Sequence, residues 1–306
     1  MRILFLGRND WANIANRVAR ALNKTPGAPT ARVFTMGAHP LGYQEDMVAE
    51  LGTHRNLFDF AADIDWLIST GDGDYEFFRM MHELLPLPVT ARLATCHVGS
   101  AYRNNAAAYK IADGQIGFER RFIGGDLYRF DVDDPRAVPY FAPPNTMTTA
   151  PWWPLDGPVR IGHSPTHRAN KGTDRILSAL SQIEGAAVDL IEGVSFKECA
   201  ERRAKCRIFV DQMEPSIGGF GASTVEALAA GCAVLADIRH VVPAVDKFYP
   251  RPPIIDVRTE DDLRARLTEL IGDPALLEQT QRASLVWAEE HAGAKAVAYY
   301  WTSHLL

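Results

Sequence analysis

From its first residue the chain alternates short apolar runs with stretches of helical spacing. Arg2 to Gly7 is a strand-length apolar run, and Trp11, Ile14, Ala15, Val18, Ala19 and Leu22 then keep the spacing of one helix face. Asn9 or Asp10 stands where a side chain caps such a helix. Further strands are expected near Ala31 to Met36, Trp66 to Thr70 and Val89 to Thr95, with helices at about 43–51, 74–84 and 104–112. Strands alternating with helices imply a parallel sheet. The pattern restarts at Val159. VRIGHSPTHRANKGTDRILSAL (159–180) reads as strand, polar loop, helix; CRIFVDQMEPSIGGFGASTVEALAAGCAVL (206–235) reads as buried strand, glycine loop, then a helix from near Ala222. Beyond Asp237, a strand near Pro253 to Val257 and helices near 260–271 and 275–290 complete a second sheet, and Lys295 to His304 forms a last helix.

Eight of the nineteen prolines fall between Pro135 and Pro165, together with Trp152 and Trp153. Proline stiffens a connection, so this stretch reads as a linker. It divides the chain into a first domain over 1–150, a second over 151–290 and a terminal helix over 291–306. A length of 306 residues suits two hydrophobic cores.

The chemistry concentrates in the two strand–loop–helix units of the second half. Gly218, Gly219 and Gly221 allow a backbone path that side chains would block. The helix after them directs its free N–H groups and positive dipole end into the loop, where an anion such as phosphate sits most favourably. Glu226, inside that helix, is placed to accept hydrogen bonds from sugar hydroxyls beside the phosphate. The bland alternative is a tight turn with a solvated glutamate. The other loop carries His163, His167, Arg168 and Lys171. At the carboxyl ends of parallel strands the two loops would flank one crevice, with Arg168 as a planar fork and Lys171 as a point charge on a diphosphate. Capping by Thr173 or Asp174 would explain those two residues but gives no reason for Arg168 and Lys171.

Signals in the first half are weaker. Gly7 and Arg8 end the first strand, where a loop meets ligand, without a dinucleotide fingerprint. In VTARLATCHVGSAYRNN (89–105), His97 is a catalytic candidate or a satisfied, partly buried histidine. Ser100, Arg103 and Asn104 are candidates to contact acceptor or phosphate, Arg103 being equally readable as a helix-start charge. Asp72 and Asp74 in TGDGD look like a metal pair, but Asp-Gly turns that cap a following helix are the favoured account.

Composition narrows the classes. Hydrophobic content of 47% and charged content of 23% are those of a globular protein. Net charge is −6, and the halves are alike: residues 1–150 hold 15 Lys and Arg against 17 Asp and Glu, the remainder 17 against 21. A nucleic-acid acceptor would normally bring a basic face, so it stands only as an alternative. Cys96, Cys199, Cys206 and Cys232 show no CxxC spacing, which fits reduced thiols in a cytoplasm. MRILFLGRND reads as a first strand rather than a signal peptide, and no apolar run reaches membrane-spanning length.

The pair GHSPTHRANKGTD and FVDQM…GGFGASTVEALAAGCAVL, separated by VDLIEGVSFKECAERRAKC, resembles the donor-binding domain of retaining group-1 glycosyltransferases of GT-B architecture, over about 159–240. It is most similar to the subset with an H-S/A-P-T-x-R-x-x-KGT loop and a strand ending in Asp-Gln, here Asp211 and Gln212. The resemblance implies an α/β fold of two Rossmann-like domains facing each other across a cleft, acceptor on the first and nucleotide sugar on the second, with the C-terminal helix crossing back to the first. It implies transfer of a sugar from a nucleotide diphosphate donor, UDP in preference to GDP, to an acceptor hydroxyl. Retention by front-side attack follows, with no metal, no other cofactor and no side-chain nucleophile. Arg168 and Lys171 would bind the diphosphate and Glu226 the ribose; Gly193 and Val194 would meet the base, and Gly219, Gly221 and Thr224 would join the donor site. Two departures stand out. The family histidine of the first domain falls on Val98, one position after His97, and the usual sugar-facing glutamate, eight positions before Glu226, is Gly218. Glu214 or Asp211 is expected to take its place. The rivals are a nucleotide-sugar epimerase of the same architecture and a non-catalytic nucleotide-sugar-binding protein. Acceptor and oligomeric state are not legible.

Overall fold

Apolar runs too short for helices and bounded by turn residues line up here as two all-parallel sheets. The computed structural model describes all residues except 72–73, 126 and 146–156, and the side chain of Ser100; the expectations for Asp72, Ser100, Trp152 and Trp153 therefore lie outside the described residues. The chain divides into two compact units, Met1–Pro143 with Ala294–Leu306, and Pro144–Gly293.

The first unit runs β1 (Arg2–Gly7), α1 (Ile14–Lys24), β2 (Thr30–Thr35), β3 (Met47–Val48), α2 (Leu57–Ala61), β4 (Trp66–Gly71), α3 (Tyr75–Leu84), β5 (Arg92–His97), α4 (Gly99–Ile116), β6 (Arg120–Gly124) and β7 (Ala137–Tyr140). Its sheet order is β3-β2-β1-β4-β5-β6-β7. The second unit runs β8 (Val159–His163), α5 (Arg168–Lys171), α6 (Thr173–Leu180), β9 (Ala186–Leu190), α7 (Phe196–Arg203), β10 (Ile208–Val210), α8 (Ala222–Ala229), β11 (Ala233–Ala236), β12 (Ile254–Asp256), α9 (Glu260–Gly272) and α10 (Pro274–Trp287). Its sheet order is β12-β11-β10-β8-β9.

The last helix, α11 (Ala294–Leu305), returns to the first unit. Trp301 is fully buried there, stacked on Phe122 at 4.0 Å between ring centres and edge-on to Phe5 at 5.8 Å. Deleting such an aromatic typically costs about 3–5 kcal/mol, so α11 is an integral part of that core. Among the described residues no helix is long and apolar enough to cross a membrane.

Two sequence expectations are corrected, and four strands were not foreseen. Residues 43–51 form no helix: Met47 and Val48 are both buried and pair with Phe34 and Thr35 as an edge strand. The Asp46 carboxylate fixes this by accepting from Arg32 Nε at 2.6 Å and Val33 N at 3.0 Å. Trp11 is not on the core face of α1 but 45% exposed, because the chain makes a separate turn over Trp11–Asn13 first. Strands β6, β7, β9 and β11 lacked a clear signal; β7 carries Pro139, which argues against a central strand and here sits on an edge.

Candidate functional site

In the second unit β9 and β10 leave β8 on opposite sides. This change of direction opens a crevice at the carboxyl ends of β8 and β10, the place where open α/β sheets hold ligands. The loop after β8 contains the single helical turn α5, and the loop after β10 leads through the glycines into α8. The two are pressed backbone to backbone. Gly172 ends α5 at φ +65°, and a Cβ there would come within 3.1 Å of the Met213 carbonyl carbon, while Met213 N donates to Lys171 O at 2.9 Å. That approach brings Lys171 Nζ to Asp211 Oδ1 at 2.6 Å and Ser223 Oγ at 3.1 Å.

Asp211 is buried and also accepts from Ser223 Oγ at 2.5 Å and Thr224 Oγ1 at 2.6 Å. Burial opposes its ionisation, but Lys171 and the two hydroxyls outweigh burial and hold the carboxyl below the usual range. Asp211 therefore does not supply the missing sugar-facing carboxylate; both its oxygens are committed to positioning Lys171 and the first turn of α8. Lys171 itself is 21% exposed. Arg168 is 50% exposed and its fork grips Glu192, Nε at 2.8 Å and Nη2 at 2.6 Å. Glu192 precedes the exposed, left-handed Gly193 (φ +63°) and half-buried Val194 at the end of β9.

His163 is not a loop cation, as sequence had it, but the fully buried last residue of β8. Its Nδ1 lies 2.8 Å from the Val210 carbonyl, which can only accept, so Nδ1 carries the proton and Nε2 accepts from Thr173 Oγ1 at 2.9 Å. Burial first, then the nearby Lys171 charge, depresses its pKa and keeps it neutral. Neither Thr173 nor Asp174 caps α6, whose N-cap is Gly172.

Glu226 is 5% exposed, and its Oε1 accepts from both Asn145 N at 3.0 Å and Asn145 Nδ2 at 2.9 Å. The position of the absent glutamate has a steric explanation. Gly218 is left-handed (φ +53°), and a Cβ there would fall 2.2 Å from the His240 ring. His240 N donates to Gly218 O at 2.7 Å, and its Nε2 lies 2.9 Å from Pro215 O. No L side chain fits without displacing His240. Glu214 folds over its own turn, Oε1 accepting from Ser216 N at 3.1 Å. Gln212 braces the glycine loop, donating to the carbonyls of Gly219 (3.0 Å) and Asp237 (2.5 Å). Gly221 is the exposed N-cap of α8. Sequence reasoning missed Ser223, Asn145, Glu192 and His240. None carries a motif of its own, and each is recognisable only by what it touches.

In the first unit, β2 and β4 flank β1, so the strand order reverses there too. Gly7 closes β1, and the exposed Arg8 donates from Nε to Asp74 Oδ2 at 2.5 Å. Asp74 caps α3 by accepting from Phe77 N, as the turn reading expected. Arg103 lies half-buried in α4. His97 is 1% exposed, with Nε2 2.8 Å from Asp113 Oδ2 and Tyr102 at 4.4 Å between rings. In this arrangement His97 has the form of the satisfied, buried histidine, one of the two readings its sequence offers.

A doubly wound pair of parallel-sheet units with the final helix returned to the first is the GT-B fold, and solved structures share it. A sucrose-phosphate synthase from Thermosynechococcus elongatus matches with a TM-score of 0.65 at 12% identity, covering 99% of this chain and 98% of that one. The Anabaena protein HepE, solved in complex with UDP, matches with a TM-score of 0.65 at 13% identity over 100% and 99%. A UDP-N-acetylglucosamine 2-epimerase matches with a TM-score of 0.54 at 12% identity over 97% and 94%. No known family profile matches the chain. No curated protein matches it in sequence.

Proposed function

We propose that this protein is a glycosyltransferase that moves a sugar from a nucleoside diphosphate, UDP before GDP, to an acceptor hydroxyl with retention and without a metal. The observation that carries the reading is the Lys171–Asp211–Ser223 knot at the β8/β10 crevice, beside the first turn of α8. A buried, ionised Asp211 holds a part-exposed ammonium where the α8 dipole also favours an anion. HepE, which shares the fold, was solved with UDP.

In this reading the diphosphate lies on Lys171 and on the backbone from Gly219 to Thr224, with Arg168 turning from Glu192 to the outer phosphate. Glu226 accepts the two ribose hydroxyls. Asn145 already presents two donors to that carboxylate, as a vicinal diol would, and gives way to the sugar. The base meets Gly193 and Val194, and Glu214 contacts the donor sugar. The bond from the anomeric carbon to the phosphate oxygen breaks with the charge that develops held by Lys171 and Arg168. The acceptor oxygen then bonds to the same face while its proton passes to the leaving phosphate. Gly7, Arg8, Ser100 and Arg103 serve the acceptor side, with His97 setting the strand end from below. Four free cysteines, three of them buried, fit a reducing cytoplasm.

Lys171→Ala is expected to lower kcat as well as donor affinity, since its charge serves a leaving group that becomes more negative during reaction. Steady-state kinetics of donor turnover reads this, and a change confined to KM limits Lys171 to ground-state binding. Thermal unfolding is measured alongside, because the variant leaves Asp211 buried without its cation. Activity that depends strictly on Mg²⁺ would count against the reading. The epimerase that shares the fold favours one second reading, nucleotide-sugar epimerisation; mass-spectrometric product analysis separates a transferred sugar from an isomerised donor.

A further inference from the structure

At the carboxyl edge of the first unit's sheet an exposed aromatic group is held by unusual backbone. Ala12 (φ 56°, ψ 16°) and Asn13 (φ 55°, ψ 34°) are the non-glycine residues with positive φ among those described, and they are consecutive. Such conformations are disfavoured for L side chains and persist only where the surroundings over-determine them. They do so here. Buried Asp10 accepts from Ala15 N, Asn16 N and Asn16 Nδ2, each at 2.9 Å, and its carbonyl accepts from Asn13 N at 2.9 Å. Arg17 Nη2 donates to Ala12 O at 2.7 Å. The consequence is that Trp11, directly before the strained pair, stands 45% exposed instead of joining the core face of α1.

Trp11 has aromatic company. His39, in the loop after β2, meets the indole edge-on at 6.1 Å and 79°, and Tyr43 meets His39 edge-on at 4.6 Å and 82°. The two loops are joined where Arg8 O accepts from Met36 N and Gly37 N. The surroundings are polar, and the neighbouring cations are engaged: Arg17 donates to Ala12 O and Arg20 Nη1 to Gln44 O at 2.8 Å. His39 Nδ1 accepts from Leu41 N at 3.1 Å, and burial lowers the pKa of the ring, so it is neutral. Glu45 Oε2 accepts from His39 N at 2.8 Å, Glu50 Oε2 accepts from Ala38 N at 2.9 Å, and Arg8 is paired with Asp74. Glu45 Oε1 is buried with no hydrogen-bond partner among the described residues.

We infer that the exposed indole of Trp11, buttressed edge-on by His39 with Tyr43 behind it, is a stacking platform for a neutral sugar ring, so that the acceptor is a saccharide. The C–H face of a pyranose lies on an aromatic ring without needing charge, and its rim hydroxyls find an acceptor in an exposed carboxylate such as Glu50, which is bonded to Ala38 N next to His39. A phosphate-rich ligand would instead need the cations that this edge lacks or has already paired. The inference rests on the glycosyltransferase reading and narrows its acceptor.

The test uses maltotriose, cellotriose and tri-N-acetylchitotriose as probes, followed by saturation-transfer NMR and indole fluorescence. At least one is expected to bind, Trp11→Ala to weaken it by about tenfold or more, which is about 1.4 kcal/mol, and Trp11→Phe and Tyr43→Ala to fall between. Unchanged thermal unfolding establishes that Trp11→Ala folds. Binding of none of the three, or equal binding by Trp11→Ala, overturns the platform, as does an RNA oligonucleotide whose binding depends on Trp11. UDP calorimetry on the same proteins keeps the two ideas apart. UDP bound equally by wild type and Trp11→Ala leaves the donor reading intact whatever the saccharides do. Absence of UDP binding in the wild type defeats the donor reading, while a Trp11-dependent saccharide still supports the platform.

Discussion

The two units each gather charged groups around a strand end, at His97 closing β5 and at Asp211 after β10, yet they treat them in opposite ways. Around His97 the fold closes the network. Arg121, 2% exposed, donates to Asp113 at 2.6 Å, Asp131 at 3.1 Å and Asp134 at 2.6 Å. Tyr75 donates to Asp113, Tyr102 to Asp131, and Lys110 pairs with Asp131. Burial disfavours the Asp113 carboxylate, but His97, Tyr75 and Arg121 overcome that and lower its pKa. Around Asp211 only the carboxylate is sealed, while Lys171 stays 21% and Arg168 50% exposed. A charge whose partners are all inside the protein can only hold the fold together. A charge anchored on one side and open on the other can also meet a ligand, so strand-end position alone does not mark a functional residue.

The largest effect should come from the closed network. Arg121→Met leaves Asp113 buried without its guanidinium and Asp131 with Lys110 alone, and should cost about 3–5 kcal/mol of stability, read by urea unfolding. UDP affinity should be unchanged wherever the variant is folded. A nucleotide-binding defect at full stability would break the comparison.

Glu226→Ala tests the open site. Loss of two hydrogen bonds to a buried carboxylate should weaken UDP by about 2–4 kcal/mol in calorimetry, and unchanged affinity in a folded variant would remove Glu226 from the ribose. Asn145→Ala should do the reverse by a smaller factor, tightening UDP because one competing donor is gone; weaker binding would make Asn145 part of the ribose site.

Gly218→Glu restores the spacing of the two carboxylates found in the resembled family. It should fail to add donor affinity and should destabilise by at least about 1–3 kcal/mol, since Gly218 is left-handed and His240 occupies the side-chain space. Near-wild-type melting with tighter donor binding would show that the loop can open.

The smallest effect is a pH dependence. His163 has a folded pKa below its unfolded value of about 6.5. Its stabilising contribution is complete above about 6.5 and is lost as pH falls below that, because the unfolded chain takes up the proton first. Stability measured from neutral to mildly acidic pH should decline, and His163→Asn should flatten the part of the slope that His163 supplies.

The sequence by itself determined the two α/β units, most of their strands and the two loops that bear cations and glycines, because these depend on apolar periodicity and on local backbone freedom. Lys171, Glu226 and the glycines were legible for the same reason: strand, loop and helix lie within a few residues of one another. The tertiary structure decided what those groups touch. Asp211 looked like a spare carboxylate and is the anchor of Lys171; Arg168 is met by Glu192, 24 positions away, and Glu226 by Asn145, 81 positions away. Gly218 looked like a lost glutamate until His240, which fills its side-chain space, was in place. Residues 43–51 have helical composition but form an edge strand, since β2 offered unpaired backbone and Asp46 fixed the pairing. Trp11 keeps helical spacing, yet Asp10 and Arg17 hold a left-handed turn that points it outward. In each case a contact distant in sequence outweighed a local preference, because burial and pairing energies of a few kcal/mol exceed propensities of a fraction of one.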